Sequence, residues 1–535
     1  MGKIQLLDCT LRDGAYIVDS QFSDTVIRGL ITKLQDVGAE VIECGWLKDK
    51  PHEPGSSFFH VPDDVIPYLS DRKDDTIYSV MIDWDRYDLS SLPEYDGRSI
   101  NAVRVVFPHG RHEEGMDVGR QIKEKGYKVL FQSANTLAYS DEDLIAMAKE
   151  ANKIKPVALS VVDTFGAMFE DDLERIVTVL DEHLDPSIKL GFHSHNNQQL
   201  AFALTIYFIR FFKDRPREIM VDSTLCGMGR GAGNATTELV VSYLNRKCGC
   251  HYNLDAVMNA IDVYMGYFQE KYRWGYSTAY FIAGMYQCHV NNIAYLLKNH
   301  RTNAQDMRNV IQSMNQEDRR KYDYDLLERK YLNIISRKVD DKNAKQSLID
   351  AFEDREVILI APGKSSKDEQ ERIKRLIAER NAFVIGVNAI LPGYDYDYVI
   401  FVNPARYDYA KETNLGFAGV KKILLSNIKA DGDENEIIIA YDHAVKQGWP
   451  HFDNAVICAL RLMDWIGIEK VAIAGFDGFK NQYNESYADP LLPSLNPGNK
   501  WDELNEEIAE MTIEFRNSAK NCIDIEFITE SLFNR

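Results

Sequence analysis

Two histidines stand one residue apart in the segment LGFHSHNN, which ends a short apolar run of the chain. Successive side chains of a β-strand alternate between its two faces, so His193 and His195 would point the same way. Neutral imidazoles in such a position are natural ligands for a divalent metal ion. An isolated pair is weak evidence, because histidine is more often an ordinary polar residue than a ligand. Other predicted strand ends must therefore contribute if this is a metal site.

Polar residues follow or interrupt several other apolar runs. The first run leads into DCTLRDG, where Arg12 and Asp13 precede a glycine that permits a tight turn. The second contains IECG, with Glu43 on an otherwise apolar run, and the last precedes GMGRGAGNATTE, in which Asn234 follows four glycines. A carboxylate and two histidines form a three-ligand site with positions open for substrate. Mn²⁺, Mg²⁺ or Zn²⁺ would each suit these donors.

The segments that would carry these residues predict a barrel. Helical patterns separate eight apolar runs in roughly the first 225 residues, and one of them ends at Gly38, where a helix C-cap is expected. Eight strand and helix units predict an N-terminal (β/α)8 TIM barrel over residues 1–245, with its site at the carboxyl ends of the strands. A doubly wound open sheet is the structural alternative. The runs are KIQLLD, AEVIECG, TIYSVMI, NAVRVVF, YKVLFQS, PVALSVVD, IKLGFH and EIMVDST.

The second half of the chain has a different pattern. Long helical segments with little strand signal predict a helical extension over residues 246–350. Further apolar runs alternate with helical segments beyond it and predict a C-terminal doubly wound, Rossmann-like α/β domain over residues 351–535. Four polar residues at predicted strand ends of that domain are candidate ligand-binding residues: Asn388, Asn403, Arg406 and Asp477.

Composition narrows the class of protein. A chain of 535 residues, 45% hydrophobic and 27% charged, is typical of a globular protein with two or three domains. We expect no membrane span, since no run of about eighteen apolar residues occurs. The formal charge of −20 argues against a nucleic-acid partner. The N-terminal sequence lacks the pattern of a secretory signal, so we expect a cytoplasmic protein with reduced cysteines.

Four motifs, LLDCTLRDG, IECG, FHSHNN and GRGAGN, occur in the order and spacing of a known family. Over about residues 4–245 the chain resembles the DRE-TIM metallolyase superfamily, which is HMG-CoA lyase-like, and in particular its 4-hydroxy-2-oxovalerate aldolase branch. The segment WGYSTAYFIAGMYQCHVNN is similar to the helical extension of that branch. The resemblance implies a divalent-metal-dependent carbon-carbon lyase or aldolase acting through a 2-oxo acid enolate, most simply that of pyruvate. It also implies an aldehyde as second substrate and a homo-oligomer.

The same resemblance implies roles for individual residues. Asp13, His193 and His195 would bind the metal. Arg12 would stabilise the enolate, and Glu43 would hold the Arg12 side chain in place.

Four further positions complete the expected site. Asp163 and Thr164 of VVDTFG fit a substrate-pocket lining, and Asn234 would bind substrate or a metal-bound water. Tyr16 departs from the family pattern, which has an acid/base histidine there, and with an ordinary pKa of about 10 it is a poorer base. Asp8 is expected to be a structural hydrogen-bond partner rather than a ligand.

Two alternative functions stay open at this point. One is a Claisen-type condensing enzyme that uses an acyl-CoA, although that branch usually has RDGEQ, which this chain lacks. The other is a non-catalytic barrel that serves as a scaffold for the C-terminal domain, which loosely resembles nucleotide-sugar-dependent transferase-like domains. A requirement for CoA would separate the two enzymes, and retained metal ligands argue against the scaffold.

Overall fold

The computed structural model divides the chain into two compact units. The first comprises Met1–Ile293 and Arg319–Lys321, and the second Ala294–Asp318 and Tyr322–Arg535. The predicted division at residues 245 and 350 stays a prediction. The structure describes residues 3–69, 72–300, 303–335, 338–352, 355–413, 416–446, 448–449, 453–480, 486–492, 501–521 and 524–534.

Eight parallel strands form the barrel of the first unit. Each strand pairs with the next along the chain, and β1 pairs with both β8 and β2, so the sheet closes on itself. The predicted TIM barrel is confirmed, and the open sheet is wrong for this unit. The strands are β1 (Ile4–Asp8), β2 (Val41–Leu47), β3 (Ile77–Asp83), β4 (Ala102–Phe107), β5 (Lys128–Ser133), β6 (Ala158–Asp163), β7 (Lys189–Ser194) and β8 (Ile219–Ser223).

Besides the four-residue helical turn Thr10–Asp13, six α-helices of the described residues connect or follow the barrel strands. Ser23 caps the first by accepting a hydrogen bond from the Val26 N–H, and Gly38 ends it in the left-handed conformation, as predicted. Short 3₁₀ helices, Pro62–Tyr68 and Leu89–Ser91, replace full helices after β2 and β3. The helices are α1 (Asp24–Val37), α2 (His112–Glu124), α3 (Asp141–Ile154), α4 (Glu170–His183), α5 (Ala201–Phe211) and α6 (Thr237–Lys247).

The chain continues as a series of helices, as its periodicity predicted. A π-helical turn, Ile261–Met265, lies between the first two. Of the described helices, none in either unit is both long and apolar enough to cross a membrane. The helices are α7 (Leu254–Ala260), α8 (Gly266–Lys271), α9 (Thr278–Met285), α10 (Val290–His300), α11 (Ala304–Ser313), α12 (Gln316–Arg320), α13 (Tyr324–Ile335) and α14 (Lys342–Phe352).

Seven parallel strands form the sheet of the second unit, in the order β13-β12-β11-β10-β9-β14-β15. They are β9 (Val357–Ile360), β10 (Phe383–Val387), β11 (Tyr398–Phe401), β12 (Lys421–Leu425), β13 (Glu436–Ile439), β14 (Lys470–Ala474) and β15 (Asp524–Phe527). The accompanying helices are α15 (Ser365–Asp368), α16 (Gln370–Arg380), α17 (Pro404–Thr413), α18 (Ala455–Ile466) and α19 (Trp501–Ser518). The predicted Rossmann-like α/β domain is confirmed.

Asp8 connects the end of β1 to two other segments of the barrel. Its Oδ1 accepts from the Thr10 N–H at 2.9 Å, and its Oδ2 accepts from the Thr237 hydroxyl at 2.7 Å, at the start of α6. The side chain is fully buried, and burial raises the pKa of this carboxyl to about 6. Because both carboxyl oxygens of Asp8 accept hydrogen bonds, the expected structural role of Asp8 is confirmed.

Replacement of Asp8 should change how stability depends on pH. Since the pKa is raised on folding from 3.8 to about 6, the folded state binds the proton more tightly, and stability falls as pH rises from about 4 to about 6. Asp8→Asn keeps an acceptor for Thr10 and removes this loss, of order 3 kcal/mol. Urea unfolding at a series of pH values should show that the free energy of unfolding of the variant rises relative to that of the wild type across this pH range. A difference that does not change with pH would contradict the assignment.

Candidate metal centre

Asp13, His193 and His195 meet at the carboxyl ends of β1 and β7. One ligand atom from each residue lies within 4.8 Å of those of the other two. His193 is in β7 and His195 directly follows it, with 5.1 Å between the ring centroids. Asp13 ends the helical turn Thr10–Asp13 that follows β1. The structure thus brings together the three residues that the sequence predicted as metal ligands.

The charge states of Asp13 and His195 suit a divalent cation. Burial opposes ionisation of Asp13, but Arg12 and the two histidines outweigh it and hold the pKa well below its usual value. Burial lowers the pKa of His195 to about 3, so that its imidazole is neutral at pH 7. The Asn234 Oδ1 is buried and has no hydrogen-bond partner among the described residues. An anionic carboxylate, a neutral imidazole and an unused amide oxygen fit the donor set of such an ion.

Asp222 on β8 orients His193. Its Oδ2 lies 3.0 Å from the His193 Nδ1, while the Nε2 on the other side of the ring lies 3.5 Å from the Asp13 Oδ2. Burial lowers the pKa of His193, but the neighbouring carboxylates of Asp13 and Asp222 outweigh burial and raise it. A carboxylate on the far nitrogen of a ligand histidine sets the orientation and tautomer of the ring. Asp222 is therefore placed to orient His193 for binding a metal ion.

Sequence reasoning missed Asp222 and its partner Arg104. The Arg104 Nη2 donates to the Asp222 Oδ2 at 2.5 Å, and both side chains are buried in the barrel interior. Each is a single charged residue within an otherwise apolar strand, IMVDS for β8 and AVRVVF for β4. The same pattern had indicated Glu43, so the signal was present in the sequence.

Cys9 also lies close to His193 and Asp222, within 4.8 Å by their potential ligand atoms. Burial raises the pKa of the Cys9 thiol well above its usual value. Its Sγ donates to the Ser223 carbonyl at 3.4 Å. Because the thiolate is the form that binds metal, this protonated thiol is a poor ligand.

Arg12 is fixed beside the cluster by two carboxylates. Its Nε donates to the Glu43 Oε2 at 2.7 Å, and its Nη1 lies 3.3 Å from the Asp13 Oδ1. Burial lowers the pKa of Arg12, but both carboxylates outweigh burial and raise it well above its usual value. The Nη2 is buried and has no hydrogen-bond partner in the described part of the chain. One side of a fixed, charged guanidinium is thus left for an oxygen of a bound molecule.

Asn234 reaches the cluster from the glycine-rich loop after β8. Its Nδ2 donates to the Asp13 Oδ2 at 2.7 Å. A Cβ atom at Gly229 would lie 2.2 Å from this Nδ2, so a larger residue there would displace the amide. Gly233 has a φ of 85°, and a Cβ there would lie 2.0 Å from the Gly227 carbonyl oxygen. The glycines therefore permit the close approach of the loop to Asp13.

Tyr16 lies beside a cation rather than a base. The Arg230 guanidinium is 3.8 Å from the centroid of its ring, and 38% of the tyrosine surface is exposed. Desolvation raises the pKa of Tyr16 to about 12, against the opposing effect of Arg230 and Arg12, so the phenol is protonated at neutral pH. The Arg230 Nη1 also lies 3.5 Å from the Nε2 of His289. Burial lowers the pKa of His289 to about 3, which leaves that ring neutral.

Asp163 and Thr164 form hydrogen bonds within the loops that follow the strands. The Asp163 Oδ1 and Oδ2 accept from the N–H groups of Ala167 and Met168, at 2.8 and 3.2 Å. The Thr164 hydroxyl oxygen accepts from the Asn135 N–H at 2.6 Å. These bonds hold the loop after β6 in place. The substrate-binding role of both residues stays a prediction.

The sequence of this chain is similar to those of known proteins. The sequence profile of the HMGL-like family matches residues 113–263. The 4-hydroxy-2-oxovalerate aldolase of Thermomicrobium roseum is 30% identical over 256 residues, which cover 47% of this chain and 69% of that protein. The chain belongs to the HMGL-like family. An oxaloacetate decarboxylase of Mycobacterium tuberculosis is 28% identical to this HMGL-like chain over 250 residues, covering 45% of it and 70% of the relative.

Solved structures are also similar to this HMGL-like chain. The N-terminal domain of a putative aldolase from Bacteroides vulgatus has a TM-score of 0.47 and 22% identity, covering 55% of this chain and 96% of its own. A hydroxymethylglutaryl-CoA lyase from Pseudomonas aeruginosa has a TM-score of 0.39 and 16% identity, and the match covers 49% of this chain and 91% of that lyase. The residues matched by the family profile include His193, His195 and Asn234, whereas Arg12 and Asp13 precede them.

Replacement of Asp222 should weaken metal binding. Asp222→Asn removes the charge that orients His193, and the loss of such a partner typically lowers metal affinity 10- to 100-fold. Calorimetric titration of the metal-free protein with Mn²⁺ measures the change. Asp36→Asn, at a surface residue paired with Lys33, is the matched control and should bind as the wild type does. Equal affinity in Asp222→Asn and the control would contradict the orienting role.

Proposed function

We propose that the barrel unit is a divalent-metal-dependent carbon-carbon lyase that acts through the enolate of a 2-oxo acid. Membership of the HMGL-like family supports a lyase. Two relatives of this chain are named for 4-hydroxy-2-oxovalerate and oxaloacetate, which are both 2-oxo acids. Aldol cleavage of the first compound and decarboxylation of the second release the same pyruvate enolate. The observation that carries the proposal is the buried Arg12 Nη2, unpaired among the described residues and next to a metal-ligand cluster.

The residues of the cluster match the needs of enolate formation. A divalent cation held by Asp13, His193 and His195 would supply Lewis-acid polarisation of the 2-oxo acid carbonyl. Arg12 donates a hydrogen bond to the oxygen on which negative charge develops. Glu43 and Asp13 already fix its guanidinium, so no reorganisation is needed when the charge appears. Mn²⁺, Mg²⁺ and Zn²⁺ each suit the mixed nitrogen and oxygen donors.

Tyr16 serves this chemistry as an acid. Its hydroxyl is protonated at neutral pH, since its pKa is raised to about 12, and it can give this proton to the alkoxide oxygen that forms when the enolate adds to an aldehyde. The nearby Arg230 guanidinium stabilises the tyrosine ring position through a cation–π contact. Tyrosine thus replaces the family histidine as a hydrogen donor, although it is unsuited to act as a base.

Proton exchange on pyruvate tests the enolate directly. In D₂O with Mn²⁺, the wild type should remove the methyl proton signal in NMR, and excess chelator or Asp13→Ala should abolish the exchange. Arg12→Lys should lower the exchange rate by about 10²- to 10³-fold with metal affinity unchanged, because a lysine cannot reproduce the fixed guanidinium donors. Arg98→Lys, at an exposed arginine paired with Asp96, is the matched control. Absence of exchange in metal-loaded wild type would disprove a pyruvate enolate.

The acid role of Tyr16 makes a separate prediction. Tyr16→Phe should lower kcat for condensation of pyruvate with acetaldehyde to 4-hydroxy-2-oxovalerate by about 10²- to 10⁴-fold, because the aldehyde oxygen that becomes the hydroxyl loses its proton donor. Pyruvate proton exchange and Mn²⁺ affinity should change little. Tyr276→Phe, at a tyrosine that is 61% exposed, controls for loss of a hydroxyl. An unchanged kcat in Tyr16→Phe would show that another group protonates the product.

A further inference from the structure

The second unit contains a cavity at the carboxyl edge of its sheet. Its volume is about 150 Å³, and it is lined by residues that follow β9, β10, β11 and β14. The strand order reverses between β9 and β14, and in doubly wound sheets the connections on the two sides of such a point diverge and leave a crevice. Ligands of this fold class bind at that position. The cavity is therefore placed where a second site would be expected.

Arg406 of α17 lines this cavity with a buried positive charge. The residue is 6% exposed, and its Nη1 is buried with no hydrogen-bond partner among the described residues. Its guanidinium lies 4.9 Å from the ring centroid of Tyr487 and forms no ion pair with a carboxylate in the described part of the chain. Burial of a charge without a partner is costly, so an anionic ligand would stabilise this arrangement.

The two acidic residues that line the cavity are engaged elsewhere. Asp453 forms an ion pair with Arg461 and accepts from the Lys446 N–H at 2.7 Å. Asp477 accepts from the N–H of Ser365 at 2.8 Å and from the hydroxyl of the same residue. These carboxylates hold neighbouring segments together, and neither of them forms an ion pair with Arg406.

Two amide side chains add hydrogen donors to the same edge. The Asn388 Oδ1 accepts from the Val402 N–H at 2.7 Å, and the Asn403 Oδ1 accepts from the Ala405 N–H at 2.8 Å. Because these bonds fix the two carbonyl oxygens, the NH₂ groups are the parts of both side chains that remain for a ligand. Helices α17 and α18 begin beside the cavity, and the positive ends of their dipoles favour an anion.

Another part of the lining is apolar and largely aromatic. Phe476 packs against Phe533 with 4.5 Å between ring centroids, and Phe479 lies 5.9 Å from Tyr487. We call these four rings the aromatic wall; Val387 and Val402 also line the cavity. A ligand that fills it would therefore have an anionic end and a less polar end.

We propose that this cavity is a second ligand site, which binds a phosphate monoester with its phosphoryl group at Arg406 and its organic part against the aromatic wall. A phosphoryl group has three terminal oxygens to match one guanidinium and two amides. A carboxylate has only two, which the guanidinium alone would satisfy. The site belongs to the second unit and is independent of the metal centre and of the lyase chemistry proposed for the barrel.

Calorimetry with the full chain tests the proposal. The probes are phenyl phosphate, glucose 1-phosphate and uridine monophosphate, with phenol, glucose, uridine and inorganic phosphate as comparisons. At least one monoester should bind at least tenfold more tightly than its parent alcohol and than inorganic phosphate, and should raise Tm. If no monoester binds, or if inorganic phosphate or a parent alcohol binds as tightly, the proposal is wrong.

Variants connect the binding to the cavity. Arg406→Gln should weaken the monoester at least tenfold, whereas Lys411→Gln should not, since it removes an equal charge from the same helix at a residue paired with Asp431. Asn388→Asp covers the case in which Arg406→Gln does not fold. A carboxylate oxygen preserves the bond to the Val402 N–H, and aspartate tolerates the φ of 54°, but its charge should repel the phosphoryl group and weaken binding tenfold. Undiminished binding in a folded form of either cavity variant would overturn the assignment.

Discussion

Asp13 is a buried carboxylate that must stay ionised if the barrel unit is to hold a metal ion. Water contributes little to stabilising its charge, since the residue is 1% exposed. The charge is instead offset by Arg12, by His193 and by the amide of Asn234. These partners come from the turn after β1, from β7 and from the loop after β8. The closure of the barrel between β1 and its two neighbours is therefore a condition for the existence of the site.

A line of alternating charges inside the barrel connects the two functional parts of this site. The Glu43 Oε2 accepts from the Arg12 Nε and lies 3.5 Å from the Arg104 Nη1. Arg104 in turn pairs with Asp222, which lies against His193. The guanidinium proposed to stabilise an enolate and a histidine proposed to bind metal thus share one buried network. Such networks are costly when a member is missing, which favours a single arrangement of the site.

The two units use the same structural principle for opposite charges. Each places polar residues at the carboxyl ends of parallel strands, where side chains from several strands converge. In the barrel, a carboxylate and two imidazoles would provide lone pairs for the proposed cation. In the open sheet, a guanidinium and two amides would provide hydrogen donors for the proposed anion. Glu43 pairs with Arg12 in the barrel, whereas in the described part of the second unit no carboxylate forms an ion pair with Arg406.

Local patterns in the sequence determined the strands, the helices and part of the metal centre. Alternation along a strand placed His193 and His195 on one side, and apolar runs with helical spacing between them identified all eight barrel strands. Only the tertiary structure decided that the sheet closes, because pairing of β1 with β2 and β8 joins segments far apart in sequence. The tertiary structure also decided the partners of individual side chains. Asp163 accepts hydrogen bonds from its own loop, Asp222 lies against His193, and the Arg406 Nη1 has no hydrogen-bond partner among the described residues. Periodicity reports the face on which a residue lies, whereas the partners on that face depend on how distant segments pack.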